Sequence, residues 1–545
     1  MSSTVVPGAA YNTSTFFWFF PARNLARANL ALYLAGGPGE ASSFAALTEN
    51  GPCIAQPDGN SVIPNPFPFN QAAHMLYVDQ PNQVGFSYDR IVAGVFDALG
   101  GAAGSGAVIP GGVESNLTNI QGRFASQNPA TTAKTSTIAG KSMWYFLQVF
   151  FADFDVNYGD KYSVSIWGNS YGGMYVSTLA SYILRTNANL PAKASATYKT
   201  ILVPSVGITN GCMDILAQGA AYATLPYNNT WTNPNGTPFQ LYTKEKSDSI
   251  LRSTRATGGC FDQVQTCRKL KASNDPTDEG ADAAAYTACT TAAYTCNDAL
   301  LAPYFGFAGA RSQYDMGLDP ADPNPPKYAA TCLNNPTTRA RLGVPAGLNY
   351  TLFSSPVFTN FYTVTGDPMR DGSADLSYLL AHGTRVALVY GDRDWRCNCA
   401  FPPSPVHLPP HTPSPASNIS PSGLGAQNLS LSLSLSLSLS LSLPWSAFAT
   451  AGYTPLLLLP SQQPTALTRH HTLLSFTRVF DAGHAVSWYK PEQVQTIFTR
   501  TLHDVDTATG SYPNASATTL TRGAKETWGW RGVLSGPPAK RECRV

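Results

Sequence analysis

The pentapeptide Gly168-Asn169-Ser170-Tyr171-Gly172 follows directly on an apolar-rich stretch at residues 162–167, and few backbones can accommodate that pattern. A strand running into a sharp turn with serine at its apex puts the serine in strained backbone angles. Side chains on the flanking positions would collide with the neighbouring strand and the following helix, so glycine is needed on both sides. The turn leaves the serine hydroxyl exposed at the end of its strand, which is the arrangement of a nucleophile elbow.

A serine alone is too weakly acidic to attack a carbonyl, so a base and an orienting acid are sought downstream. The β-rich run at 386–390 ends in Gly391-Asp392-Arg393-Asp394, and the run at 476–480 is followed by Asp481-Ala482-Gly483-His484. Two carboxylates and a histidine therefore stand on loops just past strands, in the chain order Ser, Asp, His of α/β-hydrolases. Near the N-terminus, Gly36-Gly37-Pro38-Gly39 follows the apolar run 30–34. Missing side chains there let the backbone approach a substrate carbonyl. The segment lacks the Gly-Lys-Ser/Thr ending of a phosphate loop.

Together with further motifs, these residues resemble the serine carboxypeptidases, especially the fungal members. The match includes Ser42-Ser43, Glu49-Asn50-Gly51-Pro52-Cys53, the segment Leu76-Tyr77-Val78-Asp79-Gln80-Pro81 with Gly85-Phe86-Ser87-Tyr88, Asn210-Gly211 with Asp214, Cys397-Asn398, and Lys490-Pro491-Glu492. The resemblance implies an α/β-hydrolase fold, with a mixed, mostly parallel central sheet flanked by helices and an inserted cap. It implies Ser170 as nucleophile, His484 as general base and acid, and Asp394, rather than Asp392, as the histidine's orienter. The developing oxyanion is expected to meet the backbone N–H groups of Tyr171 and Gly37. The substrates implied are peptides or proteins with a free C-terminus, with no cofactor and no metal.

Recognition of the C-terminal carboxylate separates a carboxypeptidase from an esterase, and here the chain departs from the family. Relatives use an Asn before the glycine loop, a Glu after it and a Glu before the nucleophile. Glu49 is retained, Ala35 stands at the first position and Asn169 at the last. The expected carboxylate site is Glu49, Asn169 and Gly36, with Asn169 donating an amide hydrogen at any pH. That predicts activity at acidic pH with an optimum broader or higher than the family norm. Cys397 matches a free cysteine beside the active site in some relatives. The departures keep two other readings open: ester cleavage or acyl transfer on the same scaffold, and an inactive product of a faulty gene model.

Composition fits a secreted or vacuolar enzyme. With 43% hydrophobic and 12% charged residues a large core can be buried, and a formal net charge of +2 offers no field for nucleic acid. No apolar stretch is long enough for a membrane span. Cys260, Cys267, Cys289 and Cys296 lack the paired spacing of a zinc site and read as disulfides of open connectivity, with Cys53, Cys212 and Cys332 as further bridge candidates. Acceptor sequences for N-glycosylation occur at Asn12, Asn116, Asn228, Asn235, Asn349, Asn418, Asn428 and Asn514. The start Met1-Ser2-Ser3-Thr4 carries no secretory leader, so the sequence is read as processed or truncated, since relatives carry a leader and further strands ahead of the aromatic run at 16–20.

The expected organisation is a core first half at 16–211, a cap at 212–355, a core second half at 356–400 and 445–505, and a tail at 506–545. A Gly-, Ser- and Ala-rich stretch near 93–140 reads as loop. Between the core pieces, 401–444 runs from proline-rich sequence into a Leu-Ser repeat, read as translated intron or a disordered insert.

Overall fold

The computed structural model describes residues 11–24, 28–97, 107–111, 119–154, 162–190, 197–229, 231–233, 235–307, 309–320, 325–399, 448, 451–458, 465–512 and 521–523, with the short strand residues 3–4 and 532–533. The Leu-Ser insert, most of the tail and the acceptor sites at Asn116, Asn418, Asn428 and Asn514 lie outside the described residues.

Among the described residues, nine strands form the central sheet. From one edge the order is Thr454–Pro455, Ala466–His471, Leu474–Val479, Arg385–Gly391, Ser205–Thr209, Val164–Asn169, Asn29–Leu34, Ala73–Val78 and Phe17–Phe20. The six strands from Leu474–Val479 to Ala73–Val78 run parallel; Ala466–His471 and Phe17–Phe20 pair antiparallel to the two ends of this set, and Thr454–Pro455 pairs antiparallel to Ala466–His471. Successive residues of a strand face opposite sides, and here both sides are dry. Leu30, Leu32 and Leu34 enter one apolar layer with Ile166, Leu388 and the helices Ser136–Asp153 and Gly172–Asn189. Ala31, Tyr33, Trp167 and Val389 enter the opposite layer with Val494, Ile497 and Phe498 of the helix Pro491–Leu502. Covering both faces is what lets a parallel sheet read as continuous apolar runs. This is the expected α/β-hydrolase architecture.

One expectation fails in this region. The stretch near 93–140 is not simply loop: Ile91–Asp97, Ala107–Pro110 and Asn119–Ala125 form a three-stranded antiparallel sheet. Its small residues hide an alternation in which Val95, Val108 and Phe124 turn inward while Ile109 and Ile120 face out. The helix Ser136–Asp153 then begins at Thr135, whose hydroxyl accepts from the Ile138 N–H at 3.1 Å.

A separate helical group stands between Ser205–Thr209 and Arg385–Gly391. Cys260 and Cys267 are two helical turns apart on Cys260–Asn274, as are Cys289 and Cys296 on Ala283–Cys296. The helices run antiparallel, so first pairs with last: Cys260–Cys296 and Cys267–Cys289 are disulfides. Arg268 ties this hairpin to the sheet side by an ion pair with Asp214 at 2.7 Å and by hydrogen bonds to the carbonyls of Met369 and Arg370. Cys53 and Cys332, expected as bridge candidates, are unbridged, and Cys399 is a buried free thiol.

Candidate active site

Ser170, Asp394, His484 and the glycine loop each stand beyond the C-terminal end of a parallel strand, where open α/β sheets gather their ligands. Ser170 follows Val164–Asn169 with φ +63°, in the left-handed region. Its N–H donates to the Thr209 carbonyl at 3.1 Å. A Cβ on Gly168 or Gly172 would lie 2.6 or 2.4 Å from the Leu34 carbonyl oxygen. The two glycines therefore let the elbow close onto the strand Asn29–Leu34. Gly36 is pressed against the turn as well, since a Cβ there would lie 2.5 Å from the Ser170 Cβ and 2.6 Å from the Tyr171 nitrogen. Gly37, at φ +103°, comes next and lines the cavity above Ser170. The N–H groups of Gly37 and Tyr171 have no acceptor among the described residues, so both are available to an oxyanion.

His484 and Asp394 meet across the sheet. The His484 Nδ1 lies 2.8 Å from the Asp394 Oδ2, and Asp394 is fully buried. Asp394 also accepts from the Asn210 side-chain amide at 2.8 Å and the Cys397 N–H at 3.2 Å. The His484 N–H donates to the Tyr314 carbonyl, and the two rings sit 5.0 Å apart. Close packing of two loops sets this meeting, because a Cβ on Gly391 would strike the Gly483 carbonyl at 2.4 Å. Asp392 points elsewhere: it accepts from the Trp231 indole N–H at 3.2 Å and lies 3.6 Å from the Arg478 guanidinium.

Ser170 and His484 share the wall of a cavity of about 600 Å³ with Gly37, Glu40, Glu49 and Arg396. Burial drives the Glu49 carboxyl up to about 8, and the neighbouring Glu40 charge adds to the rise. Glu40 is raised too, first by burial, with His484 and Lys327 opposing. One Glu49 carboxyl oxygen, Oε2, is buried without a hydrogen-bond partner. Glu40 escapes the motif-based reading, although its place directly after the glycine loop is a usable signal.

Two expectations are corrected here. Asn169 is not a free amide donor: its NH₂ group donates to the Thr209 carbonyl at 3.1 Å and the His484 carbonyl at 3.0 Å. Both hydrogens are spent on backbone, so Asn169 braces the histidine loop against the elbow strand. Cys397 is not a free thiol either. It is bonded to Cys212, 185 residues away in sequence, with the Cα atoms 4.7 Å apart. Mercurial sensitivity at this position is therefore not expected.

A family model described as serine carboxypeptidase matches residues 6–403. The chain is 33% identical over 540 residues to carboxypeptidase S1 homolog A of Arthroderma benhamiae, covering 98% of this chain and 75% of that protein. It is 24% identical over 487 residues to a vacuolar serine-type carboxypeptidase of Saccharomyces cerevisiae, covering 88% and 74%. Among solved structures, the yeast prohormone-processing carboxypeptidase Kex1 matches with a TM-score of 0.57 at 17% identity, over 94% of this chain and 91% of that one, a likeness of fold.

Proposed function

The chain belongs to the serine carboxypeptidase family, and on that premise we propose how its own residues remove a C-terminal amino acid. Ser170 Oγ bonds to the carbonyl carbon of the last peptide bond while His484 takes its proton. Asp394 holds the imidazole in the required tautomer and stabilises the imidazolium. The carbonyl electrons move onto oxygen, which the Gly37 and Tyr171 N–H groups receive; one such donor is worth about 3–4 kcal/mol. Collapse breaks the C–N bond, and His484 returns the proton to the departing amine. Water, deprotonated by His484, then bonds to the acyl carbon, and His484 returns that proton to Ser170 Oγ as the C–Oγ bond breaks and the acid leaves. The observation that carries this reading is the 2.8 Å contact of His484 with fully buried Asp394, on a cavity wall shared with Ser170.

The carboxylate site proposed is the pair Glu40 and Glu49. Two ionised carboxylates would repel a third, so one must keep its proton to donate to the substrate. Burial supplies that condition for Glu49 across the acid and neutral range. A carboxyl whose folded pKa exceeds its unfolded value makes its full contribution below the unfolded value and loses it as pH rises through the folded one. For Glu49 the window runs upward from the ordinary carboxyl range to about 8. KM for a free-acid substrate is therefore expected to rise steeply as pH passes about 8. In Glu49→Gln, whose amide donates at every pH, that rise should be absent; a wild-type KM that is flat through this range would remove Glu49 from the site.

The division into a sheet core and a cap over 212–355 belongs to the same proposal, supported by the distinct apolar cluster of that helical group. A secreted or vacuolar setting is proposed on the disulfides, which persist in oxidising compartments. Among the described residues no helix is long and apolar enough to cross a membrane. The test is cleavage of one blocked dipeptide as free acid and as C-terminal amide, with Ser170→Ala as control. Strong preference for the acid, lost in the variant, is expected; equal cleavage would favour an esterase or acyltransferase.

A further inference from the structure

Arg396 stands two residues beyond Asp394 on a fixed backbone. Its N–H donates to the Gln313 carbonyl at 2.9 Å, its carbonyl accepts from the Tyr222 hydroxyl at 2.6 Å, and the next residue is tied to Cys212 by the disulfide. The guanidinium is placed differently from four others packed into the fold. Arg268, Arg370, Arg393 and Arg478 each lie within 4.0 Å of an aspartate, whereas among the described residues no carboxylate comes that close to Arg396. Its one side-chain hydrogen bond among these residues goes to the Tyr362 hydroxyl at 3.4 Å. A guanidinium has five N–H donors, so most of this one's capacity is unspent.

The same residue lines two neighbouring spaces. One is the cavity over Ser170; the other, of about 290 Å³, is mostly apolar, with Met174, Met213 and Leu301 on its wall. Tyr171, Cys212, Tyr362 and Arg396 border both, whereas Gly37, Glu40, Glu49 and His484 border only the first. The second space is thus bordered neither by the histidine that protonates the leaving amine nor by the paired carboxyls. That lining suits the acyl half of the substrate rather than the leaving half. Asp214, also on its wall, is already neutralised by Arg268 at 2.7 Å.

We propose that Arg396 is a specificity-determining cation, selecting an acidic side chain on the residue whose carbonyl Ser170 attacks. This rests on the carboxypeptidase reading above. The apolar wall suits the methylene stem of such a side chain, and the planar fork of Arg396 matches its carboxylate in a bidentate pair. A cationic side chain in the same place would face an uncompensated guanidinium.

The test is a series of blocked dipeptides with C-terminal Phe and Glu, Gln, Leu or Lys before it, given to the wild type, Arg396→Leu and Arg396→Lys. In the wild type, kcat/KM for Glu over Gln is expected to be about tenfold or more, as for a charge-assisted hydrogen bond, with Lys the poorest. The Glu-to-Gln ratio should fall to near one in Arg396→Leu and be largely kept in Arg396→Lys; ratios within one enzyme cancel any loss of folded protein. Cleavage of the Leu substrate with no Glu preference in the wild type overturns the assignment alone. If Arg396→Leu instead erases discrimination between the Leu member and its C-terminal amide, assayed beside it, the cation serves the C-terminal carboxylate and the assignment is overturned. No cleavage of any member overturns the carboxypeptidase reading and this inference with it.

Discussion

Ser170→Ala is expected to lower kcat by about 10⁶-fold on a blocked dipeptide, as loss of the nucleophile does where nucleophile and base act as a unit. The hydroxyl oxygen would carry the acyl group, and among the described residues the other serine on this cavity wall, Ser312, does not end a strand. The variant should fold normally. Serine and alanine suffer alike at φ +63°, and the clasp that makes the elbow uses the residue 170 backbone N–H to the Thr209 carbonyl, not the side chain. A thermal midpoint close to wild type, with the rate gone, is the expected pair of results. A variant that keeps even a hundredth of the wild-type rate would mean that another group forms the acyl bond.

Asp394→Asn is expected to cost about 10⁴-fold in kcat with little loss of stability. The reason lies in what surrounds the carboxylate. Asp394 is completely buried, and its Oδ2 takes both the His484 Nδ1 and the Asn210 amide at 2.8 Å. An Asn can still satisfy one of these donors with its oxygen. Its NH₂ then faces the imidazole and favours the tautomer that cannot accept the serine proton. Asp392→Asn provides the contrast. That carboxylate serves Arg478 and the Trp231 indole, and breaking a buried charge pair typically costs about 3–5 kcal/mol. Asp392→Asn should therefore lower the denaturation midpoint and leave kcat of the surviving folded protein much closer to wild type. The reverse pattern would exchange the roles of the two aspartates.

The fold was legible because its carriers are local and repeated: apolar runs, each followed within a few residues by Gly, Asn or Asp, make parallel strands with loops gathered at one end. The strand at Val164–Asn169, its elbow and the helix after it follow from two glycines whose missing Cβ atoms clear the Leu34 carbonyl. Other features depend on three-dimensional proximity that spacing does not carry. Cys397 finds Cys212 only because Asp394 and Asn210 close neighbouring strands. Asn169 reads as a donor to substrate until the His484 and Thr209 carbonyls are placed beside it. Glu40 goes unread because motif comparison weighs positions with a counterpart, whereas its charge matters through closeness to Glu49. The sheet at 91–125 is hidden by glycine and alanine, whose small size masks the inward turn of Val95 and Phe124.

The most direct test of the account is to catch the acyl group on the protein. A blocked dipeptide ester, whose leaving group departs faster than the acyl-enzyme hydrolyses, is mixed with the protein, quenched in acid within milliseconds and digested for mass spectrometry. The account predicts the acyl mass on the peptide containing Ser170, decaying at the turnover rate and absent from Ser170→Ala. Turnover with no adduct at Ser170, or with the adduct on another residue, would contradict it.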